Sequence, residues 1–116
     1  MAKDKTARVY GLAKCSTCQK ALKGMRDAGW AVTFRDVSTD PLRDDERAQM
    51  LDIFGDRLRN RASLTWRAMS EDERAEPVDA QLAGRPALMK RPAILAGDLH
   101  LLGWTANVKR ALGVEV

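Results

Sequence analysis

The strongest constraint on the fold is an order of secondary-structure signals that places both cysteines of the chain between a strand and a helix. The segment 9–12, with the sequence VYGL, is a short apolar stretch that predicts a buried strand. From Ser16, apolar or small residues recur at three- and four-residue steps, which predicts an amphipathic helix that ends at Gly29. Residues 30–37 alternate and are rich in β-branched and aromatic side chains, so they predict a second strand. A strand–helix–strand unit requires a right-handed crossover and a parallel pair of strands.

The middle of the chain predicts helices. Asp40 can cap a helix and Pro41 suits its first position, and the apolar stripe that follows ends at Gly55. The polar, arginine-rich segment beyond that glycine lacks strand signals. We therefore expect short helices around residues 65–75 and 78–83.

The last part of the chain predicts a β-hairpin and a closing helix. Strands at 93–96 and 99–102 flank a Gly-Asp turn dipeptide, and a helix fits 105–112. The hairpin adds antiparallel strands to the parallel pair, so the predicted fold class is α/β (α+β), with one four-stranded mixed sheet and helices on its faces. The order is βαβ, a helical insertion at about 40–85, then ββα. No linker divides the chain, which predicts a single domain over residues 1–116.

Composition and charge argue against several classes of function. A formal net charge of +4 suits an anionic partner, but acidic and basic residues are interspersed, and no zinc-finger spacing or basic arm is present. Direct nucleic-acid binding is therefore not expected. No apolar run approaches the roughly 18 residues that cross a bilayer, and the N-terminus lacks a hydrophobic signal core. We expect a cytoplasmic monomer that does not bind a membrane.

The two cysteines form the motif CSTC at positions 15 to 18. Cys15 falls at the start of the first predicted helix, where unpaired amide groups and the helix dipole stabilise an anion. A thiol placed there loses its proton more easily, and Lys14 and Lys20 add positive charge. Cys18 lies one turn further on the same helix face, which suits a resolving thiol in thiol–disulfide exchange.

Other uses of the two cysteines are weaker. A structural disulfide is disfavoured because the expected compartment is reducing and the closed loop would be very short. A metal site would need two more good ligands, and the chain has one histidine, His100, so no metal is expected. Two cysteines at this spacing on a strand-to-helix junction favour redox chemistry over buried inert thiols.

Arginines are the other candidates for chemistry. Guanidinium groups bind carboxylates and oxyanions through paired hydrogen bonds. Arg57, Arg59 and Arg61 alternate along one segment, although each alone is explained more simply as part of a solvated helix face. Arg91 differs because Pro92 and a predicted strand follow it at once, which holds the arginine on a rigid junction.

Three segments carry a resemblance to a known family: VYGLAKCSTCQKAL near the start, NRASLTWRAM in the middle and RPALMKRPAIL before the last hairpin. Together they resemble the arsenate reductase (ArsC) family, the glutaredoxin-like ArsC/Spx/YffB group, and are most similar to the YffB-like branch. The resemblance runs from about residue 9 to about residue 112. It implies a thioredoxin-like fold with a helical insertion, in which Cys15 is the catalytic cysteine, Arg91 is the arginine before the proline, and Pro92 is cis and faces the cysteine.

The leading hypothesis is a cytoplasmic thiol–disulfide oxidoreductase of this family with no bound cofactor and with glutathione as co-substrate. Cys15 is the nucleophile, Cys18 the resolving thiol, and Arg91 binds an anionic part of the substrate, such as the carboxylates of glutathione. The substrate is a small-molecule thiol or an oxyanion, and glutaredoxin is a candidate partner. Further substrate-binding candidates are Arg59, Arg61, Lys14 and Pro92.

Two alternatives stay open. Cys15 and Arg91 are compatible with glutathione- and glutaredoxin-dependent arsenate reduction. Dedicated reductases, however, normally lack a cysteine at the position of Cys18, and two of their arginines align near Asn60 and Gly103. The second alternative is not an enzyme: an Spx-like redox switch would use the same dithiol to control binding to RNA polymerase.

Overall fold

The computed structural model describes residues 5–116 and contains one mixed four-stranded sheet. The strands lie in the spatial order β2-β1-β3-β4. β1 pairs in parallel with β2 and antiparallel with β3, and β3 pairs antiparallel with β4. Their bounds are Thr6–Gly11 (β1), Ala31–Asp36 (β2), Ala93–Ala96 (β3) and Leu99–Leu102 (β4). This topology confirms the predicted fold class.

Six α-helices accompany the sheet within the described residues. They are Ser16–Asp27 (α1), Asp44–Phe54 (α2), Leu64–Arg67 (α3), Glu71–Arg74 (α4), Val78–Gly84 (α5) and Ala106–Leu112 (α6), with 3-10 turns at Gly55–Leu58 and Pro86–Leu88. None of these helices is long and apolar enough to cross a membrane.

The chain divides into two compact units. Residues up to 36 together with 91–116 form the sheet unit, which holds all four strands, α1 and α6. Residues 37–90 form the helical unit, which holds the other four helices. The predicted insertion at about 40–85 falls inside the helical unit, and the assignment of both units to a single domain stays a prediction.

The core of the sheet unit is built from the inward faces of β1 and β3 and from α1 and α6. Met25 of α1 and Ile94 of β3 are fully buried in it. The indole N–H of Trp30 donates to the carbonyl oxygen of Leu112 at 2.8 Å, which ties the start of β2 to the end of α6. The buried core residues are Ala7, Val9, Met25, Ile94, Ala96, Val108 and Leu112.

The predicted start of the second helix was wrong. Asp40 and Pro41 lie before the helix, and α2 begins only at Asp44. The backbone at Arg43 is extended, and its amide donates to the Glu46 side chain at 2.8 Å, which satisfies one of the unpaired groups at the helix start. Three acidic residues in the first turn further favour this start, because they face the positive end of the helix dipole.

The helical segment predicted around 65–75 is interrupted. The Ser63 hydroxyl accepts from the amide of Trp66 at the start of α3, which ends after four residues. The Ser70 hydroxyl then accepts from the amide of Glu73, whose carboxylate accepts from the amide of Ser70. This reciprocal capping box starts α4 as a separate helix.

The two strands of the hairpin differ in burial, and this difference generates a test of the core. Ile94→Ala should lower the free energy of unfolding by about 2–5 kcal/mol, because it leaves a cavity in a fully buried position. Leu99→Ala, at a position that is 37% exposed on the neighbouring strand, serves as the control and should cost far less. Urea unfolding measures both, and equal losses would contradict this description of the core.

Candidate functional site

The junction between β1 and α1 positions the first cysteine. β1 is an inner strand, and its carboxyl end at Gly11 leads into the loop that carries Cys15. Cys15 is the N-cap residue of α1, and its backbone is extended. Its amide donates to the Leu12 carbonyl at 3.0 Å, and its carbonyl accepts from the amide of Gln19 at 3.0 Å. The thiol therefore stands at the helix N-terminus, as the sequence predicted.

Both sides of the Ala13 peptide group are held by side chains. The Ala13 amide donates to Asp36 Oδ2 at 3.0 Å, and the Ala13 carbonyl accepts from Gln19 Nε2 at 2.7 Å. Asp36 ends β2, so the parallel pairing of β1 and β2 brings its carboxylate to this loop. Sequence analysis missed Asp36 and Gln19, since nothing in either segment signals a contact across 23 residues or back to the loop.

The second cysteine lies against the end of β1. Cys18 is fully buried, and a Cβ atom at Gly11 would overlap with its sulfur. The same Cβ would lie 3.6 Å from the Phe34 ring of β2. Gly11 is therefore required because no side chain fits between β1 and the Cys18 thiol.

The surroundings of Cys15 favour its thiolate form. Burial raises the pKa of Cys15, but hydrogen bonds from the Cys18 amide and thiol and from Arg91, together with the charge of Arg91, outweigh this effect. The pKa of Cys15 is thereby lowered below its usual value. Both cysteines are free thiols in the structure. A lowered pKa increases the fraction of thiolate, which is the nucleophilic form of cysteine.

The surroundings of Cys18 act in the opposite direction. Burial is the main reason that the pKa of Cys18 is raised to about 11, and the neighbouring Cys15 adds to this, whereas the Leu12 backbone and Arg91 oppose it. Cys18 is therefore protonated at neutral pH and can donate a hydrogen bond to the Cys15 sulfur. The structure thus favours the thiolate form of Cys15 and the protonated form of Cys18.

Arg91 completes the cluster in the sheet unit. It is half-buried and interacts with both cysteines. The Arg91–Pro92 peptide bond is cis, as the family resemblance implied. Pro92 is fully buried, and its carbonyl accepts from the amide of Gly103 at 2.8 Å, which fixes this junction beside the last strand.

The remaining sequence candidates lie elsewhere. Lys14 and Lys20 are exposed, and neither is among the groups that shift the pKa of Cys15. Arg59 and Arg61 belong to the helical unit, where both guanidinium groups stack on the ring of Trp66, at 5.0 and 5.7 Å from its centre. Within residues 5–116, no three histidine, cysteine or acidic side chains gather in a way that could hold a metal ion.

Comparison with known proteins places this geometry in context. No protein-family profile matches the chain. An uncharacterized protein of Haemophilus influenzae is 35% identical over 109 residues, which covers 89% of this chain and 95% of that protein. Such identity over nearly the whole length of both chains shows one common family.

Solved structures show the same fold at lower identity. A YffB protein superposes with a TM-score of 0.80 at 23% identity, and covers 91% of this chain and 97% of its own. An arsenate reductase (ArsC) related protein of Brucella melitensis gives 0.74 at 24% identity and covers 96% and 97%. The arsenate reductase of Vibrio cholerae gives 0.69 at 14% identity and covers 97% and 100%. The thioredoxin-like fold of ArsC-related proteins that the motifs predicted is thereby confirmed.

The close approach at Gly11 makes a first prediction for the site. Gly11→Ala should lower the free energy of unfolding by about 1–3 kcal/mol, because the added methyl group has to displace the Cys18 sulfur. Urea unfolding measures the loss. Gly84→Ala is the matched control: no atom from outside its own helix lies within 4 Å of the added carbon among the described residues, so it should stabilise by about 0.4–1 kcal/mol. A Gly11→Ala variant as stable as the wild type would contradict this packing.

The contact between Arg91 and Cys15 makes a second prediction. Arg91→Met should raise the pKa of Cys15, because it removes a hydrogen bond and a positive charge that favour the thiolate. The pH profile of Cys15 alkylation by iodoacetamide should therefore move to higher pH, with slower alkylation at neutral pH. Arg26→Met removes an exposed charge from the last turn of α1 and should leave the profile in place. An unchanged profile in Arg91→Met would exclude the electrostatic role of Arg91.

Proposed function

Because the chain belongs to the same family as the Haemophilus protein and has the fold of ArsC-related proteins, we propose that it is a thiol–disulfide oxidoreductase that uses glutathione as its reductant. One observation carries the proposal: two adjacent free thiols, Cys15 and Cys18, have pKa values shifted in opposite directions. A structural pair of buried cysteines has no need of this difference. A dithiol that first attacks and then resolves depends on it.

In the first step, the Cys15 thiolate attacks one sulfur of a substrate disulfide. A bond forms between that sulfur and Cys15, the substrate S–S bond breaks, and the second substrate sulfur leaves as a thiolate that takes a proton from water. Arg91 favours this step because its hydrogen bond and charge keep Cys15 ionised. The buried, protonated Cys18 does not compete for the substrate.

In the second step, Cys18 gives up its proton to water and attacks the sulfur of Cys15. The mixed disulfide breaks, the remaining substrate sulfur leaves as a thiol, and Cys15 and Cys18 become a disulfide, so that two electrons have passed to the substrate. Two glutathione molecules then restore the dithiol and become glutathione disulfide. This cycle requires a reducing compartment, which is why we place the protein in the cytoplasm.

Positive charge supports an anionic substrate. In this proposal, Arg91, which interacts with the Cys15 thiol, also binds a carboxylate of glutathione. In the helical unit, Arg59 is buried beside Trp66 with no carboxylate within hydrogen-bond distance among the described residues. We propose Arg59 as a second anion-binding residue, with the exposed Arg61 in support.

Arsenate ranks below disulfides as a substrate. The position at which the resemblance leads us to expect a third arginine of the reductases is Gly103, which is buried and has a φ of 83°. An arginine there would be strained, because side chains rarely adopt this left-handed conformation. Cys18 gives the site a resolving thiol of its own, which favours dithiol exchange.

Replacement of the attacking thiol tests the proposed function. Cys15→Ser should abolish reduction of a small dialkyl disulfide in an assay that couples glutathione oxidation to NADPH consumption through glutathione reductase. Cys18→Ser is the matched control, since it removes the resolving thiol and keeps the attacking one. It should still form a mixed disulfide on Cys15. Full activity of Cys15→Ser would overturn the mechanism.

A further inference from the structure

Two arginines of the helical unit are buried to the same extent but differ in the groups that hydrogen-bond to them. Arg47 and Arg59 are each 8% exposed. A buried charge costs several kcal/mol unless it is paired and hydrogen-bonded, so each guanidinium group needs a partner. Arg47 has carboxylate partners within the unit, whereas Arg59 has no carboxylate within hydrogen-bond distance among the described residues.

Arg47 is neutralised within the unit. Its Nε and Nη2 atoms donate to the two carboxylate oxygens of Asp79, at 2.9 and 3.3 Å, and Nη2 also donates to Asp44 at 2.7 Å. Hydrogen bonding to these carboxylates raises the pKa of Arg47 above its ordinary value and lowers that of Asp79. The edge formed by Nε and Nη2 holds a carboxylate in the paired geometry that guanidinium groups prefer.

The same edge of Arg59 has no such partner. Its buried Nε atom makes no hydrogen bond within the described residues, and its nearest carboxylate, Asp56, lies 3.9 Å from Nη2. Its one hydrogen bond runs from Nη1 to Oε1 of Gln81, a neutral group, at 2.8 Å. Arg59 therefore has no hydrogen-bonded carboxylate within the described residues, and the Nε atom of the edge that binds carboxylates and oxyanions is unpaired.

The orientation of Gln81 is fixed by the backbone around it. The side chain is fully buried, and its Nε2 atom donates to the carbonyl oxygens of Glu73 and Arg74 at 2.9 and 3.0 Å. Only the NH2 end of an amide can donate, so Oε1 must point away from these carbonyls and accept from Arg59. The amide thus connects the end of α4 to one end of the guanidinium group.

The guanidinium group of Arg59 makes a second contact, with an aromatic ring. Arg59 stacks on Trp66 at 5.0 Å from the ring centre. Arg74 in turn holds the backbone of Trp66, because its Nε and Nη2 atoms donate to the Trp66 carbonyl at 3.1 and 3.0 Å. With Gln81 at one end and Trp66 on its face, Arg59 has its orientation set before a ligand binds.

We propose that Gln81 is a positioning residue that holds Arg59 oriented without a hydrogen-bonded carboxylate, so that its Nε/Nη2 edge takes one carboxylate or oxyanion group of an anionic ligand. This inference rests on the anion-binding role of Arg59 in the proposed function. A carboxylate at position 81 could accept the same hydrogen bond from Arg59, but its negative charge would neutralise the positive charge of Arg59. The neutral amide supplies the hydrogen bond without the negative charge.

Two substitutions separate the charge from the hydrogen bond. Gln81→Glu places a carboxylate beside Arg59 and removes the donors to the Glu73 and Arg74 carbonyls. Gln81→Met keeps a similar volume, removes the hydrogen bond and leaves Arg59 charged. If Gln81 acts through Arg59, anion binding should weaken more in Gln81→Glu than in Gln81→Met. A purely structural amide predicts instead that binding follows the loss of stability in each variant, which urea unfolding measures.

The test is calorimetric titration of the full chain with two probes that undergo no thiol exchange. Sodium sulfate tests an inorganic oxyanion, and S-methylglutathione tests the carboxylates of a tripeptide, both at constant ionic strength. Gln81→Glu should weaken binding of the recognised probe by about tenfold or more, the effect of losing a charge-assisted hydrogen bond. Asp79→Asn is the matched control, because it disturbs the compensated Arg47 in the same unit and should leave binding unchanged.

The outcomes distinguish this inference from the proposed function. If Arg59→Lys and both Gln81 variants weaken binding while Asp79→Asn does not, the inference is supported. If Arg59→Lys weakens binding and both Gln81 variants bind as the wild type does, Gln81 is not a positioning residue although Arg59 still binds the anion. Equal weakening in Asp79→Asn would show general loosening and overturn the inference. If the wild type binds neither probe, the anion-binding role of Arg59 and the positioning role of Gln81 are both overturned. The disulfide reductase activity is then tested separately, by the Cys15 variant.

Discussion

The packing of the Cys18 sulfur against Gly11 is the constraint on which the site depends. Because Gly11 lacks a side chain, the buried thiol of α1 can lie directly against the end of β1. This contact packs the first turn of α1 against the end of β1, and Cys15 is the N-cap residue of that helix. The parallel pairing of β1 and β2 then brings Asp36 to the loop before Cys15, and the cis Arg91–Pro92 bond lies at the start of β3, the other neighbour of β1.

The two units handle charge by the same physical principle. In the sheet unit, Arg91 stabilises a thiolate at Cys15, while burial keeps the proton on Cys18. In the helical unit, Arg47 is hydrogen-bonded to carboxylates, whereas Arg59 donates to the neutral Gln81 and to no carboxylate among the described residues. In each unit, burial and hydrogen-bond partners therefore determine whether a charge is stabilised or left without a hydrogen-bonded counter-ion.

Local patterns predicted most of the fold, because the decisive signals are short in sequence. The apolar stretch before CSTC, the helical period after it and the Gly-Asp turn each specify an element through its nearest neighbours along the chain. The predicted start of α2 was wrong because the Arg43 amide donates to the Glu46 side chain, and this cap outweighs the one predicted at Asp40. Asp36 and Gln81 were missed, because their contacts join residues that are far apart in sequence and depend on burial, which no local pattern carries.

The most direct test of the central claim is the chemical form of the oxidised protein. Alkylation of free thiols followed by mass spectrometry, across a titration with reduced and oxidised glutathione, reports whether Cys15 bonds to Cys18 or to glutathione. Dithiol exchange predicts that the Cys15–Cys18 disulfide accumulates in the wild type and that a glutathione adduct on Cys15 replaces it in Cys18→Ser. A wild-type protein in which both cysteines stay alkylatable at every ratio of the two forms would contradict the account.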